Sequence, residues 1–394
     1  MVTAGYLVLA VILHGMAARQ AAEGLTPMVT DFNTFYAVAL LEADHAAQAV
    51  YDGALMQAAE RRAARLAYPG LTERQLSPVP PFVWLYPPTA ILLVMPLAAL
   101  PYWVAYVVWI VVTAAVWVVA LHRMRPDPST LPLALALPAT FLNGMFGQMG
   151  FLTAGLLGLG LAWLVERPLL AGVAFGLLTV KPHFGLLLPI ALVCGGHWRT
   201  IGAAALTAVA VAAVSLAAFG PEPWAAFAAH ARDGGALLTA GAVPWTLMPT
   251  VYPALRLLGL PESLAVGGQT AVALAAVGAV VWAWRRPAAP ADRAGVLCLA
   301  TLLALPFAYA YDLTLLAVPI FWTAARRDVV LPGLAALLPF LGPGLAHLGL
   351  PVGPLVIGAW LVVTIGSVNA SRASTGRAGC RCSPPAERKP KDRL

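Results

Sequence analysis

Five long apolar runs decide the class of this chain. They contain no Lys, Arg, Asp or Glu, and each approaches the roughly 20 residues that a helix needs to cross a bilayer. The whole chain is 60% hydrophobic and 10% charged, whereas a soluble domain carries about 25% charged residues. We therefore predict an all-α polytopic membrane protein. The five runs are residues 2–18, 102–121, 201–219, 264–284 and 352–369.

Shorter apolar runs come in pairs, and each pair flanks a polar tip. The tips are Asn143–Gln148, Lys181–His183 and Ala308–Asp312, and we predict three helical hairpins around them. A further run at 329–346 is interrupted by prolines. Together these segments predict one domain over residues 1–370, built as a bundle of about 12 transmembrane helices. The hairpin arms are residues 131–142 with 150–165, 168–180 with 184–196, and 294–307 with 313–325.

Clusters of arginine between the apolar runs predict the orientation. The net charge of +7 sits in these loops, which is typical of cytoplasmic loops rather than of a nucleic-acid surface. The loop 20–86, the three tips and the loop 220–262 then share the exoplasmic face, and residues 371–394 form a basic cytoplasmic tail that we expect to be disordered. The loop 20–86 is small for a core of its own, so we expect interfacial helices at 34–49 and 53–67. The clusters are Arg123, Arg125, Arg167, Arg199, Arg285, Arg286, Arg326 and Arg327.

Two segments leave alternatives open. Residues 2–18 resemble a signal peptide in length but lack a basic segment before the apolar run, so we expect a retained first helix. Residues 87–100 are short for a span and bounded by prolines. We interpret them as a re-entrant or interfacial helix. If they cross the membrane fully, one crossing elsewhere must be removed or added so that the later loops keep their predicted sides.

Asp31 opens the long polar stretch beyond the first apolar run, and it is the first candidate for chemistry. An aspartate before a helix ordinarily caps the helix, contributing roughly 0.5–2 kcal/mol, and position alone favours capping and catalysis equally. The aromatic neighbours Phe35 and Tyr36 favour catalysis, because aromatic rings are common at the headgroup zone and offer flat platforms to sugars. We therefore predict that Asp31 is catalytic and that both rings bind substrate.

Lys181 lies at a hairpin tip after a long apolar arm. A cation at that depth is costly unless it is paired or hydrated, and the partner we favour is a phosphate. The alternative is a lysine that snorkels to the interface. His183 is a candidate second phosphate donor, or a hydrogen-bonded structural residue.

The other two tips carry neutral and acidic groups. Asn143 and Gln148 either bond sugar hydroxyls or satisfy backbone groups freed by the turn, and the sequence favours neither. Tyr309, Tyr311 and Asp312 share the third tip, and we predict that they bind substrate. An acid in apolar surroundings indicates function, but Asp312 would equally pair with Lys181 or cap the following helix.

Signatures of cofactor and metal chemistry are missing from the sequence. It has no Gly-rich phosphate loop, no Asp-x-Asp pair and no cluster of Cys and His. Cys380 and Cys382 form one pair where a zinc site needs about four ligands. We expect neither a metal nor a cofactor.

These motifs, taken in order, resemble those of glycosyltransferase family 87, and the similarity covers most of residues 30–330. Gly147-Gln148 and Lys181-Pro182 follow in the order typical of the family. Three further motifs carry the likeness: Asp31-Phe-x-x-Phe-Tyr with Val50-Tyr51-Asp52, Leu85-Tyr86-Pro87-Pro88 with the run Pro96–Pro101, and Tyr311-Asp312-Leu313.

The resemblance implies a GT-C-like membrane enzyme in a bacterial inner membrane. Such an enzyme moves a hexose, often mannose, from a polyprenyl-phosphate carrier to a hydroxyl of a glycolipid or glycan on the periplasmic side, with inversion. It implies that Asp31 is the general base and that Lys181 meets the carrier phosphate. The chain departs from the family where Phe307 follows Pro306 in place of a histidine, so that phosphate contact is either lost or supplied by His183. A transporter or flippase and a membrane scaffold are the alternatives from other classes.

Overall fold

A computed structural model describes residues 2–23, 30–44, 47–76, 84–322 and 329–378. Within these ranges the regular structure is helical, with no strand, which agrees with the all-α prediction. The α-helices are α1 Val2–Ala22, α2 Phe32–Ala43, α3 Gly53–Ala67, α4 Glu73–Leu76, α5 Pro88–Val94, α6 Tyr102–Met124, α7 Thr130–Leu135, α8 Pro138–Phe146, α9 Gly150–Trp163, α10 Pro168–Leu177, α11 Leu188–Cys194, α12 Trp198–Phe219, α13 Glu222–Thr239, α14 Val251–Leu257, α15 Glu262–Trp284, α16 Pro290–Ala304, α17 Ala317–Trp322, α18 Val330–His347 and α19 Gly353–Ala378. Short 3₁₀ helices lie at Ala47–Tyr51, Met95–Ala99, Leu178–Val180, Pro182–Gly185, Trp245–Leu247 and Ala310–Leu316.

Four of the described helices, α6, α12, α15 and α18, are long and apolar enough to cross a membrane. Most of the other predicted crossings correspond to shorter apolar helices, whereas residues 131–142 are divided between α7 and α8, so the count of twelve stays a prediction. The membrane setting is visible in α12, where only Thr200 and Ser215 are buried inside the protein. A helix that leaves most of its apolar side chains outside the protein core is stable only against lipid or another apolar partner.

The three predicted tips are the irregular parts of the bundle. The first arm, residues 131–142, is divided between α7 and α8, so the arrangement as three hairpins stays a prediction. The first turn joins α8 to α9, the second is a pair of 3₁₀ turns around Lys181, and the third is the 3₁₀ helix Ala310–Leu316. Small residues let the helices beside the tips pack closely on their neighbours. A Cβ on Gly155 of α9 would lie 2.7 Å from the backbone nitrogen of Trp117 in α6, so only glycine allows these two helices to approach.

The first loop folds onto the bundle rather than standing apart. The predicted helices at 34–49 and 53–67 correspond to α2 with its 3₁₀ extension and to α3. Asp52 caps α3, with its Oδ1 accepting from the backbone N–H groups of Ala54 and Leu55. Thr34 donates to the buried carboxylate of Glu60 at 2.9 Å, which fixes α2 against α3.

Two predictions remain, one on the course of residues 87–100 and one on the tail that begins at residue 371. Residues 87–100 form α5 and a 3₁₀ turn, which pack against α2 and α12, and a re-entrant course stays a prediction. Residues 371–378 continue α19. The rest of the predicted tail, with Cys380 and Cys382, lies outside the described residues.

Candidate functional site

Asp31 stands at the N-cap position of α2 but does not cap it. Its backbone is helical, with φ −60° and ψ −24°, and its side chain makes no capping hydrogen bond. The carboxylate accepts instead from Gln148 Nε2 at 2.7 Å, and the Tyr311 hydroxyl lies close enough to lower its pKa. The capping interpretation of Asp31 is therefore wrong, and the side chain joins two hairpin tips that are distant in sequence.

The turn between α8 and α9 presents Gln148 to Asp31. Gly147 has φ +68°, a left-handed conformation that glycine adopts at low cost, and a Cβ there would lie 2.5 Å from Phe32 Cβ. Asn143 is fully buried, and its Oδ1 accepts from the Gly150 backbone N–H at 2.8 Å. Of the two open roles for Asn143, the structure therefore favours satisfying the backbone of the turn.

Tyr86 is a site residue to which the sequence analysis gave no role. Its hydroxyl donates to Gln148 Oε1 at 3.2 Å, and the same oxygen accepts from the Met149 backbone N–H at 3.1 Å. Burial and the nearby carboxylates raise the pKa of Tyr86, so the hydroxyl stays protonated and is a donor. Only the Leu85-Tyr86-Pro87-Pro88 motif signalled this residue in the sequence.

Lys181 and Asp312 form a buried ion pair. Lys181 Nζ lies 2.6 Å from Asp312 Oδ1, and the two side chains are 4% and 2% exposed. Asp312 Oδ2 also accepts from the Tyr309 backbone N–H at 3.0 Å, which caps the 3₁₀ helix that follows. Both structural alternatives for Asp312 are therefore realised together, and Lys181 does not snorkel to the interface.

Tyr311 joins the Asp31 part of the site to this ion pair. Its hydroxyl lies beside Asp31 and lowers the pKa of that carboxyl. Its ring centroid lies 5.7 Å from Lys181 Nζ and 5.2 Å from the ring of Tyr309, on which it stacks. Asp31 is half-buried, while Gln148, Tyr311, Lys181 and Asp312 are all buried. The carboxylate therefore lies at the rim of the cluster and the ammonium lies deeper.

Burial is the main electrostatic influence on Asp31. It raises the pKa of this carboxyl above the usual range, although the hydrogen bonds from Gln148 and Tyr311 and the charge of Lys181 act in the opposite direction. A carboxylate with a raised pKa is a stronger base than a solvated aspartate. The arrangement suits the removal of a proton from a hydroxyl group at the rim.

The family model of glycosyltransferase family 87 matches residues 84–306, which is more than half of the chain. The chain belongs to glycosyltransferase family 87. It is therefore a glycosyltransferase, and its apolar helices make it a membrane protein. No curated protein and no solved structure matches the chain significantly. Membership of an enzyme family decides against the transporter and scaffold alternatives.

The matched region of this family 87 enzyme includes two of the three tips. Tyr86, Gln148, Lys181 and His183 lie within it, whereas Asp31 and the Ala308–Asp312 tip lie outside. The contacts of Gln148 with Asp31 and of Lys181 with Asp312 therefore join the matched region to the segments on either side.

Phe35 and Tyr36 require a correction. They are 1% and 3% exposed, and Phe35 packs among the rings of Trp84, Tyr86 and Trp109. The Tyr36 hydroxyl donates to the Leu100 carbonyl at 2.7 Å. Because both rings are enclosed by protein, neither offers a face to a sugar, and Phe35 instead supports Tyr86 from behind.

Two predictions about the site remain, the role of His183 and the absence of a metal. His183 is half-buried at the Lys181 tip. Its ring lies 4.9 Å from that of Phe184, and the Phe184 ring centroid is itself 4.9 Å from Lys181 Nζ. Over the ranges that the structure describes, no group of three or more His, Cys, Asp or Glu side chains is placed to hold a metal ion.

Proposed function

We propose that this enzyme transfers a hexose, mannose in the first instance, from a polyprenyl-phosphate carrier to a hydroxyl of a glycolipid or glycan, with inversion at the anomeric carbon. Asp31 is the general base. The acceptor oxygen attacks the anomeric carbon while the bond from that carbon to the phosphate oxygen breaks. The acceptor proton passes to Asp31, and the polyprenyl phosphate leaves with the bonding electrons.

The observation that carries this proposal is the orientation of the Asp31 carboxylate. An aspartate at a helix N-cap ordinarily turns to the N–H groups of its own first turn, and this one faces the cluster formed by the other two tips. The residue is half-buried, unlike the rest of the cluster, and we propose that a substrate hydroxyl approaches from its exposed side. A carboxylate ordinarily offers about four lone-pair directions, and the donors Gln148 and Tyr311 leave capacity for an acceptor hydroxyl.

Lys181 is our candidate for the carrier phosphate, with His183 as a second donor. The ammonium has three N–H groups, and one of them is used by Asp312. Positive charge near a leaving phosphate stabilises the charge that develops there. Tyr309, which is half-buried, is the ring that we propose for the sugar. Tyr311 is buried and supports Tyr309 by stacking on it at 5.2 Å.

The first experiment incubates purified protein in nanodiscs with a panel of polyprenyl-phosphate sugars and measures released polyprenyl phosphate. We expect Asp31→Asn to abolish release while the protein still inserts and elutes as a folded species. The matched control is Asp44→Asn, because Asp44 is an exposed aspartate paired with Arg62, and this variant should keep its activity. Turnover of Asp31→Asn close to that of the unaltered enzyme would remove Asp31 as the base.

The second experiment tests the side of the membrane. We propose a bacterial inner membrane with the site on the periplasmic face. Ala58→Cys places a thiol on an exposed position of α3, in a background whose native cysteines are replaced by alanine. A membrane-impermeant maleimide should label this thiol in intact cells. Labelling only after the cells are opened would place the loop in the cytoplasm and overturn the orientation.

A further inference from the structure

The side-chain amide of Gln148 accepts two hydrogen bonds through its oxygen and donates one to Asp31 through its nitrogen. Oε1 accepts from the Met149 backbone N–H at 3.1 Å and from the Tyr86 hydroxyl at 3.2 Å, and Nε2 donates to Asp31 Oδ2 at 2.7 Å. A backbone N–H can only donate. A reversed amide would place NH₂ against that N–H and a carbonyl oxygen against a carboxylate, so the orientation is fixed.

This engagement leaves Gln148 poorly suited to bind a sugar. The residue is 6% exposed, and its amide oxygen already has two donors. We propose that Gln148 is a positioning residue that holds the Asp31 side chain in the rotamer in which its carboxylate faces the other two tips. Tyr86 acts through Gln148, because its hydrogen bond to Oε1 fixes the orientation of the amide. This inference rests on the proposed role of Asp31 as the base.

Asp31 needs a positioning residue because it lies at the start of α2. Asp31 is the residue before the first helical turn, and its preferred partners would be the N–H groups of that turn. Gln148 and Tyr311 together keep the side chain in the cluster. The other titratable or charged groups that interact electrostatically with the carboxylate are Lys181, Asp312, Tyr86 and Tyr309.

The test separates positioning from substrate binding by kinetics. Gln148→Ala should lower kcat about 10- to 100-fold, because a base misplaced by about 1 Å can cost that much. The KM values for donor and acceptor should change less than about 3-fold, since no ground-state contact is lost. The acid limb of the pH profile of kcat is the range in which kcat falls as the pH is lowered. This limb should move to higher pH, because the lost hydrogen bond stabilised the ionised Asp31 carboxylate.

Gln148→Glu provides a second variant if Gln148→Ala does not fold. Glutamate keeps the length of the side chain and can still accept from Met149 and Tyr86, but it cannot donate to Asp31 when ionised. Two carboxyl groups at this separation share a proton. The acid limb should therefore move further than in Gln148→Ala, and an unchanged limb would overturn the proposal.

A double-mutant cycle tests the role of Tyr86. Tyr86→Phe should lower kcat several-fold, on the order of 3- to 10-fold, and should have no further effect in a Gln148→Ala background, because two residues that act as a unit are not additive. If the losses in kcat of the two single variants add in the double variant, Tyr86 acts independently of Gln148, and its proposed role through Gln148 is overturned.

Two controls match the chemistry of these substitutions. Gln269→Ala removes a buried glutamine whose amide bonds the backbone at Tyr252, Leu303 and Ala304. Tyr6→Phe removes a hydroxyl that donates to the Ala136 carbonyl. Both should leave the acid limb unmoved. A limb that moves equally in these controls would overturn the specific role of Gln148.

The two proposals fail in different ways. If Asp31→Asn retains turnover, the proposed base is wrong and the inference loses its basis. If Asp31→Asn is inactive while Gln148→Ala keeps both kcat and the acid limb, only the positioning role is overturned. A raised KM for donor or acceptor with an unmoved limb would instead assign Gln148 to substrate binding.

Discussion

Breaking the Lys181–Asp312 pair from one side should cost much more stability than neutralising both members. The two charges are 2.6 Å apart, which corresponds to an attraction of roughly 6 kcal/mol at an effective dielectric constant of about 20. Bringing each charge out of water costs several kcal/mol, so the net contribution of the pair is small. A lone buried charge, however, keeps its whole desolvation cost.

We therefore expect Lys181→Met to lower the free energy of unfolding by about 3–5 kcal/mol, and Asp312→Asn by a similar amount. The double variant should lose roughly 2–4 kcal/mol less than the sum of the two single losses. Asparagine keeps an acceptor for the Tyr309 backbone N–H, so the cap of the 3₁₀ helix survives. The measurement is unfolding by SDS in mixed micelles.

The exposed pair of Arg62 and Asp44 is the matched control. Its atoms are also 2.6 Å apart, but the side chains are 54% and 55% exposed, and water screens such a pair to about 1 kcal/mol or less. Arg62→Ala should therefore change stability little. If the losses of Lys181→Met and Asp312→Asn add within about 0.5 kcal/mol, the buried pair does not act as described and the reasoning is refuted.

The same variants separate stability from donor binding. If Lys181 meets the carrier phosphate, the double variant recovers stability but not turnover, because the charge on the leaving group still has no partner. Lys181→Met alone should raise the donor KM or lower kcat. Recovery of turnover together with stability in the double variant would make Lys181 structural and remove the phosphate assignment.

Two further predictions concern the turn and the base. Gly147→Ala should destabilise the protein by about 1–3 kcal/mol, because φ is +68° and the new Cβ would lie 2.5 Å from Phe32 Cβ; Gly144→Ala, with nothing within 4 Å, is the control, and equal melting temperatures would contradict the clash. Since burial raises the pKa of Asp31, kcat should fall on acidification at a pH above the usual range of an aspartate. The folded state holds this proton more tightly, so stability should fall as pH rises between the unfolded and folded pKa values. Release of polyprenyl phosphate by the unaltered enzyme across a pH series measures the first effect. Fluorescence-monitored unfolding of the unaltered enzyme and of Asp31→Asn across the same series measures the second, and identical stability profiles would exclude Asp31.

Much of the fold follows from local properties of the sequence. Length and apolarity predict the long helices α6, α12 and α15, because a bilayer excludes charge and requires about 20 residues per span. Polar residues between short apolar arms predict the hairpin tips, since a turn exposes backbone groups that need partners. The order of the motifs indicates glycosyltransferase family 87, which the family model confirms.

The tertiary structure decided which side chain meets which. Gln148 reaches Asp31 across 117 residues and Lys181 reaches Asp312 across 131, and no pattern within a single segment encodes such a pairing. The same is true of burial: Phe35 and Tyr36 have the composition of a sugar platform, but the approach of Trp84, Trp109 and Tyr102 encloses them. Apolarity and turn signals act over a few residues and fix the elements. Hydrogen bonds and ion pairs depend on atomic distances that only the packing of the hairpin tips sets.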